Sequence, residues 1–145
     1  MDKEHKIFLI GCFITVSVIA YLLNWNFDSM ADTATTLVSI AVGVYIAAAS
    51  ALLGSPYAKE LKQTTDKKRT SNTLLGTLLD YFRHAGKLGI TTVIVSCLYK
   101  IPAIYNVPII IARIGSAAAY GIFFCNILFL WLVFVFLVNS IEKSV

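Results

Sequence analysis

Apolar positions dominate the chain in four long stretches, and one stretch between the second and third breaks the pattern. Residues 7–25 and 35–54 carry no Asp, Glu, Lys or Arg. Residues 88–105 are interrupted only by Lys100 and Pro102, and 114–139 are again uncharged. A bilayer core about 30 Å thick needs about 20 apolar residues in a helix, so each stretch predicts a transmembrane span. The exception is "TTDKKRTSNTLLGTLLDYFRH", 64–84. Its first half is polar, basic and rich in Thr. From Ser71 the pattern changes: Leu74, Leu78 and Phe82 share one helical stripe, with Leu75 and Leu79 beside it and Asp80, Arg83 and Lys87 on other faces. That periodicity predicts an amphipathic helix, capped by Ser71 or Asn72 and running on towards the third span.

The composition agrees with four spans. Hydrophobic residues make up 58% of the chain and charged ones 14%, with a mean hydropathy of +0.78, whereas soluble domains average about 45–50% apolar and about 25% charged. The expectation is an all-α integral membrane protein: a single transmembrane domain over 1–145, with a loop at 55–87 that carries the amphipathic helix. "LIGC", Leu9 to Cys12, resembles a lipoprotein cleavage box. Too few apolar residues precede Cys12 for a signal peptide, and the apolar run continues past it, so the first span reads as an anchor that is kept.

Charge sets the expected orientation. Ten of the 12 Lys and Arg residues fall at the termini or in the loop at 55–87, and Lys100 and Arg113 alone fall on the other side. The segment "NWNFDSMADT" on that side has Asp28 and Asp32 and no base. The positive-inside rule then makes both termini and the basic loop cytoplasmic. Trp25, Phe27 and Tyr105 are expected in the outer interfacial belt, and Tyr57 and Tyr81 in the inner one.

The span interiors exclude several functions. Spans one, two and four hold no ionisable group, which argues against a coupled transporter or proton relay. Their hydroxyls are expected to bond to the carbonyl one turn back. Asn126 is expected to make a hydrogen bond between helices. His5 and His84 are far apart, no C-x-x-C pair joins Cys12, Cys97 or Cys125, and no hydrolase, nucleotide-binding or zinc-protease motif is present. No catalytic residue, metal site or cofactor is expected, and no direct contact with nucleic acid.

What remains is assembly and docking. Ser39, Gly43, Ala47 and Ala51 recur every four residues in span two, and Gly115, Ala117, Gly121 and the neighbouring Ala119 repeat the device in span four. Small residues at this spacing let helices approach closely in lipid, so these positions, with Asn126, are candidates for packing in a homo-oligomer. Lys67, Lys68, Arg69, Leu74, Leu78, Phe82, Arg83 and Lys87 are the candidates for binding membrane lipid or a cytoplasmic protein partner. Lys100 and Arg113 flank "YKIPAIYNVPIIIAR", whose two prolines exclude one continuous helix. In a ring of subunits they would form a positive pore mouth that favours anions.

The general plan, four short spans with a basic loop and no catalytic set, is similar to small bacterial membrane proteins that act beside a soluble partner, among them the membrane components of two-gene phage-defence systems such as Kiwa. The resemblance is one of architecture and implies a bacterial inner membrane and a place in envelope or phage defence. Two functions follow as expectations: a non-enzymatic scaffold or sensor that holds a cytoplasmic partner at the membrane, or a holin-like pore or ion channel gated by the loop.

Overall fold

A computed structural model of the chain describes residues 3–65, 73–101 and 108–142. Among them it is all-helical, with α1 over Lys3–Leu22, α2 over Asp28–Gly54, α3 over Tyr57–Gln63, α4 over Leu74–Leu98 and α5 over Ile109–Glu142. An isolated bridge between Thr65 and Thr73 closes the loop ahead of α4.

The α1–α2 turn follows from its sequence. Asn24 sits in the left-handed region at φ 53°, where Asn is among the few side chains tolerated without strain. Its N–H reaches the Tyr21 carbonyl at 3.2 Å, while the Trp25 N–H reaches the Ala20 carbonyl at 3.0 Å. This paired arrangement satisfies carbonyls that a helix end otherwise leaves bare. The chain then re-enters a helix at Asp28, whose carboxylate suits the positive end of α2.

Several expected boundaries move. The amphipathic helix and the third span are one helix, α4, which ends at Leu98 rather than near residue 105. Its cap is Thr73, whose hydroxyl accepts from the Gly76 N–H at 3.2 Å. The expected caps Ser71 and Asn72 lie outside the described residues, as do Tyr105 and Pro102. A short helix, α3, occupies part of what was expected to be loop. α5 starts directly after Pro108, consistent with a proline stop between the two helices.

The four long helices run up and down. The pairs α1/α5 and α2/α4 are the closest, α4 and α5 join them, and α3 lies over one end. Two buried clusters hold the bundle. Tyr45, Leu78, Tyr81, Phe82, Phe129 and Val133 form one near the basic end. Ala20, Phe27, Ala31, Val38, Tyr120 and Phe123 form the other. Phe27 and Tyr81, expected in the interfacial belts, are buried inside the bundle. The ring of Phe27 meets Tyr99 and Tyr120 edge to face at 5.3 and 5.2 Å, and Tyr81 hydroxyl bonds His5 Nδ1 at 2.5 Å, tying α1 to α4.

By length and composition three helices can cross a membrane: Glu4–Leu22, Asp28–Gly54 and Ile109–Val135. α4 differs because Asp80, Arg83 and Lys87 occupy its first half, leaving an uncharged run, Leu88–Leu98, of about 16 Å at a rise of 1.5 Å per residue.

Candidate functional site

The small-residue faces of α2 and α5 have opposite fates. On α2 the bundle takes Ala31, Ala34, Val38, Ala41 and Tyr45, while Ser39, Gly43, Ala47 and Ala51 are exposed, Ser39 beside a shallow groove shared with Ile90, Val93 and Ile94 of α4. No other part of the chain comes within 4 Å of where a Gly43 side chain would start. On α5 the small residues are consumed inside the chain. A Cβ at Gly121 would lie 2.8 Å from the Phe13 ring of α1 and would collide with Ser17, and one at Gly115 would lie 2.7 Å from the Tyr99 hydroxyl. Ala117 and Ala119 are buried as well. Of the eight expected oligomer residues, Gly115, Ala117, Gly121 and Asn126 are thus internal packing, because α1 and α4 need to approach α5 closely.

Asn126 is the buried polar centre of the bundle. Its amide nitrogen donates to the Leu88 carbonyl at 3.2 Å and to the Thr92 hydroxyl, joining α5 to α4. Thr92 donates in turn to the Leu88 carbonyl at 2.9 Å. Asn126 Oδ1 and the nearby Ser96 hydroxyl remain buried without a partner. The expected self-satisfaction holds for Thr15, which donates to the Gly11 carbonyl at 2.8 Å, and fails for Ser17, whose hydroxyl is buried without a partner; Thr35 and Thr36 also donate to the carbonyl four residues back. Interhelical hydrogen bonds of this kind contribute about 0.6 kcal/mol on average in membranes, with a maximum near 1.7. Asn126→Leu should accordingly destabilise the bundle by about 1 kcal/mol in a reversible unfolding titration in detergent. A loss of several kcal/mol would mean that the cluster has partners other than Thr92 and Leu88.

The stripe expected to face lipid or a partner is mostly interior. Leu78 is 0% exposed and Phe82 is buried in the same cluster, with Leu74 half-buried. They fill the seam that α4 makes with α2, α3 and α5, so the stripe is spent within the chain. Arg83 and Lys87 are exposed, with Arg83 reaching Asp80 at 3.5 Å. Lys67, Lys68 and Arg69 lie outside the described residues. Nearby, Tyr57 at the head of α3 has its phenol pushed above the ordinary range, by burial and then by the Glu60 carboxylate, and stays neutral at physiological pH.

At the opposite end, Lys100 and Arg113 do not act alike. Lys100 Nζ lies 3.0 Å from Asp32 and 3.8 Å from Asp28, and donates to the Asp28 carbonyl. Two carboxylates therefore neutralise it, against the expectation of a positive mouth. Arg113 instead covers the Tyr21 ring at 5.1 Å and donates to the Tyr21 carbonyl at 3.3 Å.

Sequence reasoning missed Gly89, where a side chain would collide with Val42 of α2, and Thr92 and Ser96 on the same buried face. The signal was present in Ala85, Gly89 and Thr92, a small-residue face on α4 like those read on α2 and α5. It also missed the turn residues Asn24 and Asn26. Among the described residues no group of His, Cys, Asp and Glu is placed to hold a metal ion.

No protein-family model matches the sequence, and no curated protein or solved structure is significantly similar to it. The class is therefore the one the fold itself defines, an all-α bundle. More narrowly, it is a multi-helix protein with three helices suited by length and apolarity to a membrane.

Proposed function

We propose that this chain is a non-enzymatic, four-span membrane scaffold or sensor that assembles with copies of itself and holds a cytoplasmic protein at a bacterial inner membrane, in envelope or phage defence. The observation that carries the reading is the outward face of α2. Gly43, Ala47 and Ala51 are exposed, with open space where a Gly43 side chain would start, and Ser39 lies at the edge of the same face; small faces of this kind are how helices associate where lipid removes the hydrophobic drive. The basic end supports the placement of the partner: Lys59, Lys62, Arg83 and Lys87 all sit on exposed positions there, as the cytoplasmic side of a membrane protein requires. α4 is the proposed fourth span. It crosses in the company of α2 and α5, which bury its polar interior groups, so it does not need the apolarity of a lone helix.

A specific observation also favours the pore. Asp32, Thr36, Ser39 and Ser50 lie outward along α2, and in a ring closed through that helix they would line the axis.

The test is the mass of the purified protein in mild detergent. The parent is expected to be an oligomer, and Gly43→Leu a folded monomer of unchanged helical content, because the new side chain meets nothing inside the chain. A monomeric parent, or an unchanged mass in the variant, sinks self-assembly through α2. Robust currents from the chain alone in liposomes would replace the scaffold with the pore.

A further inference from the structure

The end of the bundle that carries Arg113 contains a pocket of about 220 Å³, lined by Asn24, Trp25, Asn26, Ile109, Arg113 and Ser116. We propose that it binds a phosphoryl group, and that a lipid headgroup at the membrane interface supplies it. This goes beyond the scaffold reading and does not depend on it.

The charge distribution is the first reason. The two carboxylates at this end, Asp28 and Asp32, are both engaged by Lys100. Arg113 has no carboxylate partner among the described residues, and its Nε is buried without a hydrogen-bond partner. A half-buried guanidinium in that condition is costly unless an anion reaches it. The Tyr21 carbonyl takes one Nη2 hydrogen and the Tyr21 ring fixes the guanidinium plane; with Nε shut away inside the protein, the remaining Nη hydrogens are the donors left to meet phosphate oxygens.

The walls are the second reason. Asn26 Oδ1 is occupied by the Asp28 N–H at 3.2 Å, so its amide N–H groups are the part left to donate. Asn24 is held in its left-handed turn by the end of α1, which brings a second amide to the pocket. Ile109 opens α5, whose positive dipole end therefore points to the same place. Trp25 packs on Tyr120 at 5.4 Å and supplies the apolar wall that the glycerol end of a lipid headgroup would cover.

Trp25 is also the reporter. The chain has two tryptophans, and Trp131 is 64% exposed, so Trp131→Phe leaves Trp25 as the sole indole. Detergent-solubilised protein in this background would be titrated with dihexanoyl phosphatidylglycerol, with inorganic phosphate and with uncharged dihexanoylglycerol. The expected result is a saturable emission change with phosphatidylglycerol and none with dihexanoylglycerol. Arg113→Gln should weaken it about tenfold or more, the size of one lost charge-assisted hydrogen bond. If Arg113→Gln fails to fold by circular dichroism, Asn26→Ala carries the same test with a loss of about threefold. Saturation by inorganic phosphate at similar concentrations would uphold the site and assign it to the free anion. An equal response to dihexanoylglycerol, no saturation by either phosphate compound, or undiminished binding in the folded variant would overturn it.

Discussion

Gly121→Leu should unfold the contact between α1 and α5 and lower stability by about 3 kcal/mol or more. The starting Cβ alone would stand 2.8 and 2.9 Å from two carbons of the Phe13 ring and would overlap Ser17. Added methylenes in a closed seam force shifts that cost about 1–3 kcal/mol, and leucine adds three carbons beyond that Cβ. Backbone movement is the available relief, and it would break the neighbouring ties between α1 and α5, namely Cys125 Sγ to the Leu9 carbonyl at 3.5 Å and Arg113 to Tyr21. Gly89→Leu should behave alike at the α2–α4 seam, through Val42. Gly43→Leu is the contrast: with nothing near its Cβ, it should leave the packing within the chain intact and lose at most the stabilisation that self-assembly adds. Thermal unfolding in one detergent, with hydrogen exchange over α1, measures all three. A Gly121→Leu protein that melts like the parent, with α1 equally protected, would mean that α1 does not pack on α5 at this point.

That contrast also marks the limit of what the residues disclose by themselves. Gly43 with Ala47 and Gly121 with Ala117 follow the same spacing rule, and the rule says only that a close approach is possible. Which face is used within the chain depends on what stands opposite, and Phe13 is far from Gly121 in sequence. Apolar stretches and prolines were legible because they are local. The start of α5 just after Pro108 and the apolar lengths of α1, α2 and α5 follow from single windows of sequence. Asn126 was legible as an interhelical bond because a lone amide in a long uncharged helix has few other options. Lys100 and Arg113 looked equivalent, and only the return of α2 and α1 to that end gives one two carboxylates and the other a tyrosine. The stripe of Leu74, Leu78 and Phe82 was legible as a stripe, but an apolar face reads the same whether lipid or a neighbouring helix covers it.

Leu78→Asp should therefore destroy the fold, not a docking surface. Leu78 is 0% exposed, within the cluster that includes Tyr45, Phe82 and Phe129. Trimming a buried leucine to alanine costs about 2–5 kcal/mol, and a carboxylate at the same point must also be desolvated or protonated, which adds several more. The variant should reach the membrane poorly and melt far below the parent, with Leu78→Ala between them. Arg83→Gln and Lys87→Gln should shift stability by about 0.5 kcal/mol or less, because both side chains are exposed. Arg83 gives up only its 3.5 Å contact with Asp80, which lies outside the core. The same unfolding titration separates the two classes. If Leu78→Asp proved as stable as the parent, α4 would have to turn this stripe outward, and the proposed partner would regain an apolar anchor; if it collapses as expected, the residues of α4 left for a cytoplasmic partner are the exposed bases Arg83 and Lys87. Docking would then be electrostatic and weaken with salt, and loss of recruitment in the Arg83 and Lys87 variants could be read without a folding defect beneath it.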